Sequence, residues 1–140
     1  MSELVFEIFI PMTPHGKQRP RVVRRKTKKG IIPIAITPDQ TVSDEHLIRF
    51  HVGQAWTGAP LDEPLDVVIC AYFDRPKSKP KKVLYPTGKP DWDNLGKLIC
   101  DALNELLWRD DSVIVDGAVR KRYCDESHPQ PGYLITVRRA

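Results

Sequence analysis

The stretch Leu65–Phe73 constrains the fold more than any other part of this sequence. Its nine residues are almost all apolar, β-branched or aromatic, and Asp66 is the one charged residue among them. Pro64 precedes the stretch, and a basic, proline-containing segment follows it. A short continuous apolar run bounded in this way is typical of a strand that is buried on both faces. We therefore expect the rest of the chain to pack around a central strand at residues 65–73.

Two helices are predicted to pack on the sheet that contains this strand. The clearer helix follows residue 93, and its apolar stripe at helical spacing consists of Leu95, Leu98, Ile99, Ala102 and Leu106. Asp93 and Lys97 share the opposite side of that helix. The other helix is predicted at about 43 to 57, after the capping and first-turn residues of Thr41–Glu45 and before Gly58.

The remaining elements are predicted from β-branched and aromatic runs between turn residues. The segment Met12–Lys29 is interrupted by Pro14, Gly16 and Pro20, and we interpret it as a loop or an irregular hairpin arm. Gly117 permits a bulge in its strand. The strands are predicted at Leu4–Ile10, Ile31–Ile36, 113–123 and Tyr133–Val137. This order predicts a small α/β (α+β) domain with a mixed sheet and two main helices.

Length and composition limit the architecture and the class of protein. With 140 residues and 41% hydrophobic residues, the chain supports one core, so residues 1–140 are predicted to form a single domain. No apolar stretch of about 18 residues appears, and Met1–Leu4 does not begin a signal peptide. We therefore expect a soluble, cytoplasmic, nucleoid-associated protein without a membrane partner. Three cysteines without a CxxC pair are interpreted as reduced thiols.

The positive charge of the chain is concentrated in a few segments. Residues 17–29 carry eight of the 22 cations and no acid, which leaves a net charge of −4 on the rest of the chain. Further basic clusters lie at 75–82 and 120–122. Such clusters attract a polyanion through counterion release, although solvated basic loops are the alternative interpretation. The cations predicted to bind DNA are Lys17, Arg19, Arg21, Arg24, Arg25, Lys77, Lys79, Lys81, Lys82 and Lys89.

The acidic motif Asp91-Trp92-Asp93 stands out in this basic context. If residues 91–93 are extended, both carboxylates point to one side, because side chains alternate along an extended chain. Two close carboxylates repel one another unless a cation lies between them, and Mg²⁺ prefers such oxygen ligands. Mn²⁺ is the alternative ion. Asp93 could instead cap the following helix, and Trp92 could stack on a base or serve as a packing anchor.

Two further features accompany this pair. Lys97 lies one helical turn after Asp93, where it could bind phosphate or form a simple i,i+4 ion pair. Asp110 and Asp111 lie where the connection after the helix meets the next strand. Adjacent residues of an extended chain face opposite ways, so one of the two is expected to point at a metal, and the pattern alone does not choose between them.

The segments Lys89–Lys97, Asp101–Asn104 and Trp108–Ser112 together resemble the RusA family of Holliday junction resolvases. The basic run Lys17–Arg21 is similar to the opening segment of that family. The specificity lies in D-x-D-N-x-x-K followed by D-A-L and a D-D pair. Gly96 inside the helix and the bulky Trp92 depart only slightly from the family pattern.

The resemblance implies a function and a set of roles. By it, Asp91, Asp93 and Asp111 would be the metal-binding catalytic carboxylates and Lys97 the catalytic lysine. It also implies a homodimer that uses Mg²⁺ and makes paired symmetric nicks in a four-way DNA junction during recombination and repair. Two alternatives remain open: a metal nuclease acting on other branched or single-stranded DNA, and a binding module without catalysis.

Overall fold

A four-stranded mixed sheet forms the centre of the computed structural model, which describes residues 2–18, 21–36 and 38–140. In chain order the elements are β1 (Leu4–Pro11), β2 (Arg21–Thr27), β3 (Gly30–Ile36), α1 (Asp39–Ala55), β4 (Leu65–Phe73), α2 (Trp92–Leu103), a 3₁₀ turn (Asp111–Val113), β5 (Ile114–Tyr123) and β6 (Gly132–Arg139). The sheet order is β1-β6-β4-β5. β4 pairs antiparallel with β6 and parallel with β5. The prediction of a central strand at 65–73 is confirmed, as is the α+β class.

Helix α2 packs its apolar stripe on this sheet. The four stripe residues from Leu95 to Ala102 are fully buried, whereas Leu106 lies beyond the helix end at Leu103 and packs against the core from the following turn. The helix begins at Trp92, so the expectation that residues 91–93 are extended is wrong. Trp92 and Asp93 already have helical backbone because no proline or glycine interrupts the sequence between Asp91 and Leu95.

Helix α1 packs beside α2 and starts four residues earlier than predicted. Pro38, with an extended ψ of 143°, precedes the first helical residue, Asp39. The acidic residue in the first turn is Asp39, where its carboxylate complements the helix dipole. The sequence pattern had indicated Asp44 for this position. Asp44 is buried instead, together with Thr41, Ile48 and Val52.

The strands β2 and β3 form a separate two-stranded hairpin, which we call the basic arm (residues 21–36). Of the two interpretations offered for residues 12–29, the hairpin arm is confirmed for residues 21–27, and the interrupting Pro14, Gly16 and Pro20 all precede this strand in the sequence. The hairpin turns at Thr27–Gly30, where the Thr27 hydroxyl donates to the Gly30 carbonyl at 2.8 Å. Gly30 has a φ of +116°, a conformation that glycine adopts without strain.

Strand β5 is an edge strand of the four-stranded sheet. Its register against β4 shifts between Ile114 and Asp116, so the extra residue is Val115 and the bulge predicted at Gly117 lies two residues earlier. Cys70, Cys100 and Cys124 are free thiols. Among the described residues, no helix is both long and apolar enough to cross a membrane.

Candidate active site

The carboxylates of Asp91 and Asp93 lie at the N-terminus of α2. Asp91 is the N-cap residue, with φ −69° and ψ 149°, and Asp93 lies in the first turn. Neither makes a capping hydrogen bond, so Asp93 does not have the alternative role of a cap. Both residues are exposed, and the positive end of the helix dipole favours negative charge here. Their oxygens are therefore free to bind a ligand.

Lys97 projects from the exposed side of α2, one turn after Asp93. Within the described part of the chain, no carboxylate lies within 4.0 Å of its ammonium group. The simple i,i+4 ion pair is thus not formed. The lysine contributes an unpaired cation on the helix that carries the two aspartates.

Asp110 and Asp111 have different surroundings. The Asp110 carboxylate accepts a hydrogen bond from the Ser112 backbone N–H at 3.1 Å and so caps the 3₁₀ turn. Hydrogen bonding from Ser112 lowers the pKa of Asp110 below its ordinary value. Asp111 is exposed and begins the turn itself. Asp110 is therefore used as a cap, and Asp111 is the carboxylate of the pair that remains available to bind a ligand.

Asp111 lies at the opposite end of α2 from Asp91 and Asp93. Because β4 and β5 are parallel, with Leu65 opposite Ile114, α2 carries the chain back from the end of β4 to its beginning. Burial first, and then the negative charge of Asp111, raise the pKa of Cys100 in the last turn of α2 to about 12. Cys100 is about 10 Å along the helix axis from Asp93, at 1.5 Å per residue.

The three predicted metal ligands are consequently not gathered within one chain. Across residues 2–18, 21–36 and 38–140, no three or more histidine, cysteine or acidic side chains are grouped closely enough to hold a metal ion. The chain brings together Asp91 and Asp93, and it places Asp111 apart from them.

An extended segment, residues 12–18, crosses both helices between β1 and the basic arm, and we call it the strap. The backbone N–H of Lys17 donates to the Asn94 carbonyl in α2 at 3.1 Å. The Lys17 ammonium pairs with Asp101 and lies 3.7 Å from Glu45. The hydrogen bond with Asp101 is the largest of the effects that raise the pKa of Lys17. This predicted DNA-binding cation thus also holds the strap to the two helices.

A pocket of about 550 Å³ opens between the strap and the start of α2. Asp91 and Lys89 line one wall, and His15 lines the other. The His15 Nδ1 lies 3.0 Å from the Asp44 carboxylate of α1. Our sequence analysis missed this pair, because its members are 29 residues apart and no motif joins them. Lys89, a predicted DNA-binding residue, is exposed beside Asp91.

The other predicted DNA-binding cations form two exposed surfaces. One is strand β2 of the basic arm; Arg19 falls outside the described residues. The second is the loop 74–90, which is held against β5: the Lys121 ammonium donates to the Gly88 carbonyl at 2.5 Å, and the Arg122 guanidinium lies 5.3 Å from the Tyr85 ring centroid. The exposed cations are Arg21, Arg24 and Arg25 on the arm and Lys77, Lys79, Lys81 and Lys82 in the loop.

An apolar groove runs between α2 and β5, and its lining includes a residue at the start of each element. Trp92 lies where α2 begins and is 64% exposed, and Ile114 lies where β5 begins. Gly96 and Cys100 continue the helix wall of the groove from Trp92. A Cβ at Gly96 would lie 3.1 Å from Val119 Cγ2, so the close approach of α2 to β5 leaves no spare room for a larger residue there.

Comparison with known proteins supplies an independent observation. The family model described as Endodeoxyribonuclease RusA matches residues 11–137. The chain is also 42% identical over 73 residues to YqaN, an uncharacterized protein of Bacillus subtilis (strain 168). That alignment covers 45% of this chain and 51% of YqaN, so it spans about half the length of this relative.

Proposed function

Because the chain belongs to the RusA family of endodeoxyribonucleases, which are hydrolases of DNA phosphodiester bonds, we propose that it resolves four-way DNA junctions. In this proposal the enzyme depends on Mg²⁺ and makes paired symmetric nicks in DNA recombination and repair. The observation that carries the proposal is the free carboxylate pair, Asp91 and Asp93, at the end of α2 that faces the strap and the basic loop. A module that only bound DNA would gain nothing from unpaired acids at this position, since they repel phosphate.

The residues at the start of α2 fit a magnesium ion by their chemistry. Enzymes of this nuclease family generally depend on a divalent metal. Mg²⁺ takes oxygen ligands, keeps several of its waters and needs only a few carboxylates. Asp91 and Asp93 offer carboxylate oxygens that no cap hydrogen bond occupies. In this proposal they would hold the ion together with Asp111, and the bound ion would acidify a water and neutralise charge on the phosphate.

The chain's own cations have separate roles in the reaction. The basic arm and the loop 74–90 bind the phosphate backbone on either side of the carboxylates and so set the position of the strand. Lys97 places its ammonium beside the scissile phosphate, where it stabilises the negative charge that increases as water attacks phosphorus. Lys89, next to Asp91, orients the incoming strand in the pocket.

The third carboxylate requires a second copy of the chain. Asp111 precedes β5, which starts level with the beginning of β4, and it is not grouped with Asp91 and Asp93 in one chain, so in this proposal a second copy supplies it. In a dimer with twofold symmetry, both copies contribute the same surface to the interface, and the two surfaces run in opposite directions. With the twofold axis across the groove, the end of the groove at Trp92 faces the end at Ile114 on the other copy. Asp111 of a second copy is thereby carried towards Asp91 and Asp93.

The first experiment compares a labelled four-way junction with a matched linear duplex, in Mg²⁺ or in EDTA. We expect paired symmetric nicks in the junction alone, and loss of cleavage in EDTA. Asp93→Asn should abolish cleavage while junction binding persists. Asp116→Asn, at another exposed carboxylate, is the matched control and should cut normally. Binding without cleavage by the wild type would leave a binding module, and cutting of flaps or single strands in preference to junctions would identify a different nuclease.

The second experiment tests whether each site is shared between two copies. Asp93→Asn and Asp111→Asn should each be inactive alone. When the two variants are mixed and allowed to exchange subunits, each mixed dimer contains one intact site, so about a quarter of the wild-type nicking rate should return. No recovery in a mixture whose subunits demonstrably exchange would show that Asp111 does not act across the dimer.

A further inference from the structure

A histidine that no motif indicated is held at the wall of the pocket beside Asp91. His15 Nδ1 lies 3.0 Å from Asp44 Oδ2. The Asp44 side chain is only 6% accessible, and its other oxygen accepts a hydrogen bond from the Gln40 amide at 2.8 Å. A buried carboxylate must be paired and hydrogen-bonded, and both oxygens of Asp44 are used in this way. The arrangement fixes the direction of the imidazole ring.

The backbone of His15 is fixed as well. Its carbonyl accepts a hydrogen bond from the hydroxyl of the fully buried Tyr133 at 3.3 Å. The next residue, Gly16, packs so closely on α2 that a Cβ there would lie 2.9 Å from the Pro90 Cβ. Despite these restraints, 42% of the His15 side chain remains accessible, and it lines the pocket that Asp91 also lines. The ring is held rigidly and yet is open to a ligand.

The ring nitrogen that is not bonded to Asp44 determines which ligand fits. Nδ1 is used, so Nε2 is the nitrogen that remains for the pocket. An imidazolium donates from both nitrogens and can therefore bridge a carboxylate and an acceptor. DNA phosphate oxygens are acceptors only, and the exposed Lys89 on the other wall favours an anion too. The strap that carries His15 precedes the basic arm in the chain, and in the proposed function that arm binds the same DNA.

We propose that His15 binds a phosphate of the DNA strand next to the scissile phosphodiester, with Asp44 as the residue that positions its ring. The proposal rests on the proposed function for its substrate. It adds a phosphate subsite on the strap side of Asp91, separate from the metal-binding carboxylates. The alternative is that the pair only fastens the strap to α1, in which case no individual phosphate depends on His15.

The test is a double-mutant cycle between the protein and the DNA backbone. Single phosphates around the branch point are replaced, one at a time, by uncharged methylphosphonates, and junction binding is measured in EDTA, so that no cleavage is required. For the wild type, one replacement should weaken binding about tenfold, as expected for a hydrogen bond between charged groups. His15→Ala should weaken binding of unmodified junction by a similar factor, with no further loss from that same replacement.

Matched variants separate contact from folding. Asp44→Asn should reduce the effect of the same methylphosphonate, because the ring loses its charged partner. His15→Gln keeps a donor towards Asp44 and should behave as His15→Ala towards the DNA while melting like the wild type. His46→Ala, at an exposed histidine of α1, should leave the whole pattern unchanged.

Different outcomes contradict the two proposals. If the methylphosphonate series affects His15→Ala as it affects the wild type, His15 contacts no single phosphate and the phosphate subsite is refuted. If the wild type shows the expected cycle in EDTA but cuts nothing in Mg²⁺, the subsite stands and the nuclease proposal fails. A wild type that does not bind the junction refutes both.

Discussion

The packing of the strap on α2 predicts a large effect for a single added methyl group. Gly16→Ala places a Cβ 2.9 Å from the Pro90 Cβ and 3.0 Å from the Asn94 Cβ, where ordinary contacts are 3.4–4 Å. Both neighbours are carbons attached directly to backbone, so neither can rotate away. Either the strap or the start of α2 must move.

The size of the effect is limited by how strongly the strap is held. Overpacking of this kind costs about 1–3 kcal/mol. Beyond the contacts of His15 and of the Lys17 ammonium, two hydrogen bonds from backbone N–H groups hold the strap after Gly16, from Lys17 N to the Asn94 carbonyl and from Gln18 N to the Thr41 hydroxyl. Each contributes about 1 kcal/mol. A clash that breaks these two bonds while the contacts of His15 persist should lower the free energy of unfolding by about 2–3 kcal/mol.

A loss of this size should lower the melting temperature by roughly 5–10 °C in a domain of this length. Calorimetry measures that shift, and junction cleavage should fall more than stability implies, because the pocket beside Asp91 is distorted. The control is Gly53→Ala in α1, whose added Cβ meets nothing within 4 Å and should stabilise the helix by up to about 1 kcal/mol. If both variants melt and cut alike, the strap does not press on α2 as described.

Three further predictions concern other contacts. Arg49→Met removes a guanidinium that donates to the Ala102 carbonyl at 2.7 Å, and urea unfolding should show about 1–2 kcal/mol less stability; an unchanged midpoint would contradict this role. The hydrogen bond with Asp101 raises the pKa of Lys17 above its ordinary value of 10.5, so their pair contributes stability below pH 10.5 and loses it as pH rises through the folded-state pKa; wild type and Lys17→Met should therefore converge in melting temperature as pH rises beyond 10.5. In the proposed dimer Trp92 lies at the interface, so Trp92→Arg, which places a charge in the apolar groove, should shift sedimentation from dimer to monomer; a variant that sediments as a dimer would place the interface elsewhere.

Periodicity was sufficient to predict the elements on which the site is built. The apolar run of β4 and the stripe from Leu95 to Ala102 predicted a central strand and a covering helix, and both are confirmed with close boundaries. Burial of apolar side chains dominates these segments, and it leaves a regular pattern in the sequence. The start of α2 at Trp92 was missed, because the search for converging carboxylates favoured extended backbone over the helical propensity of the same residues.

Contacts between distant segments left no such pattern. The Lys17–Asp101 pair joins residues 84 positions apart, and it shows that a cation in a basic cluster also serves packing. The location of Asp111 depends on the parallel pairing of β4 with β5, which spacing does not reveal. Asp110 and Asp111 differ because Asp110 caps the 3₁₀ turn through one hydrogen bond. The alternation of side chains along a strand does not predict that bond.

The basic arm pairs only β2 with β3 and adds no strand to the central sheet. Its side chains are therefore free to change without disturbing the core, because selection for folding acts on them only weakly. A graft of another cationic hairpin between residues 21 and 36 should leave the remainder of the fold intact. The arm is thus the part of the molecule where preference for one DNA shape over another can diverge fastest, in nature or by design, while the chemistry at α2 stays the same.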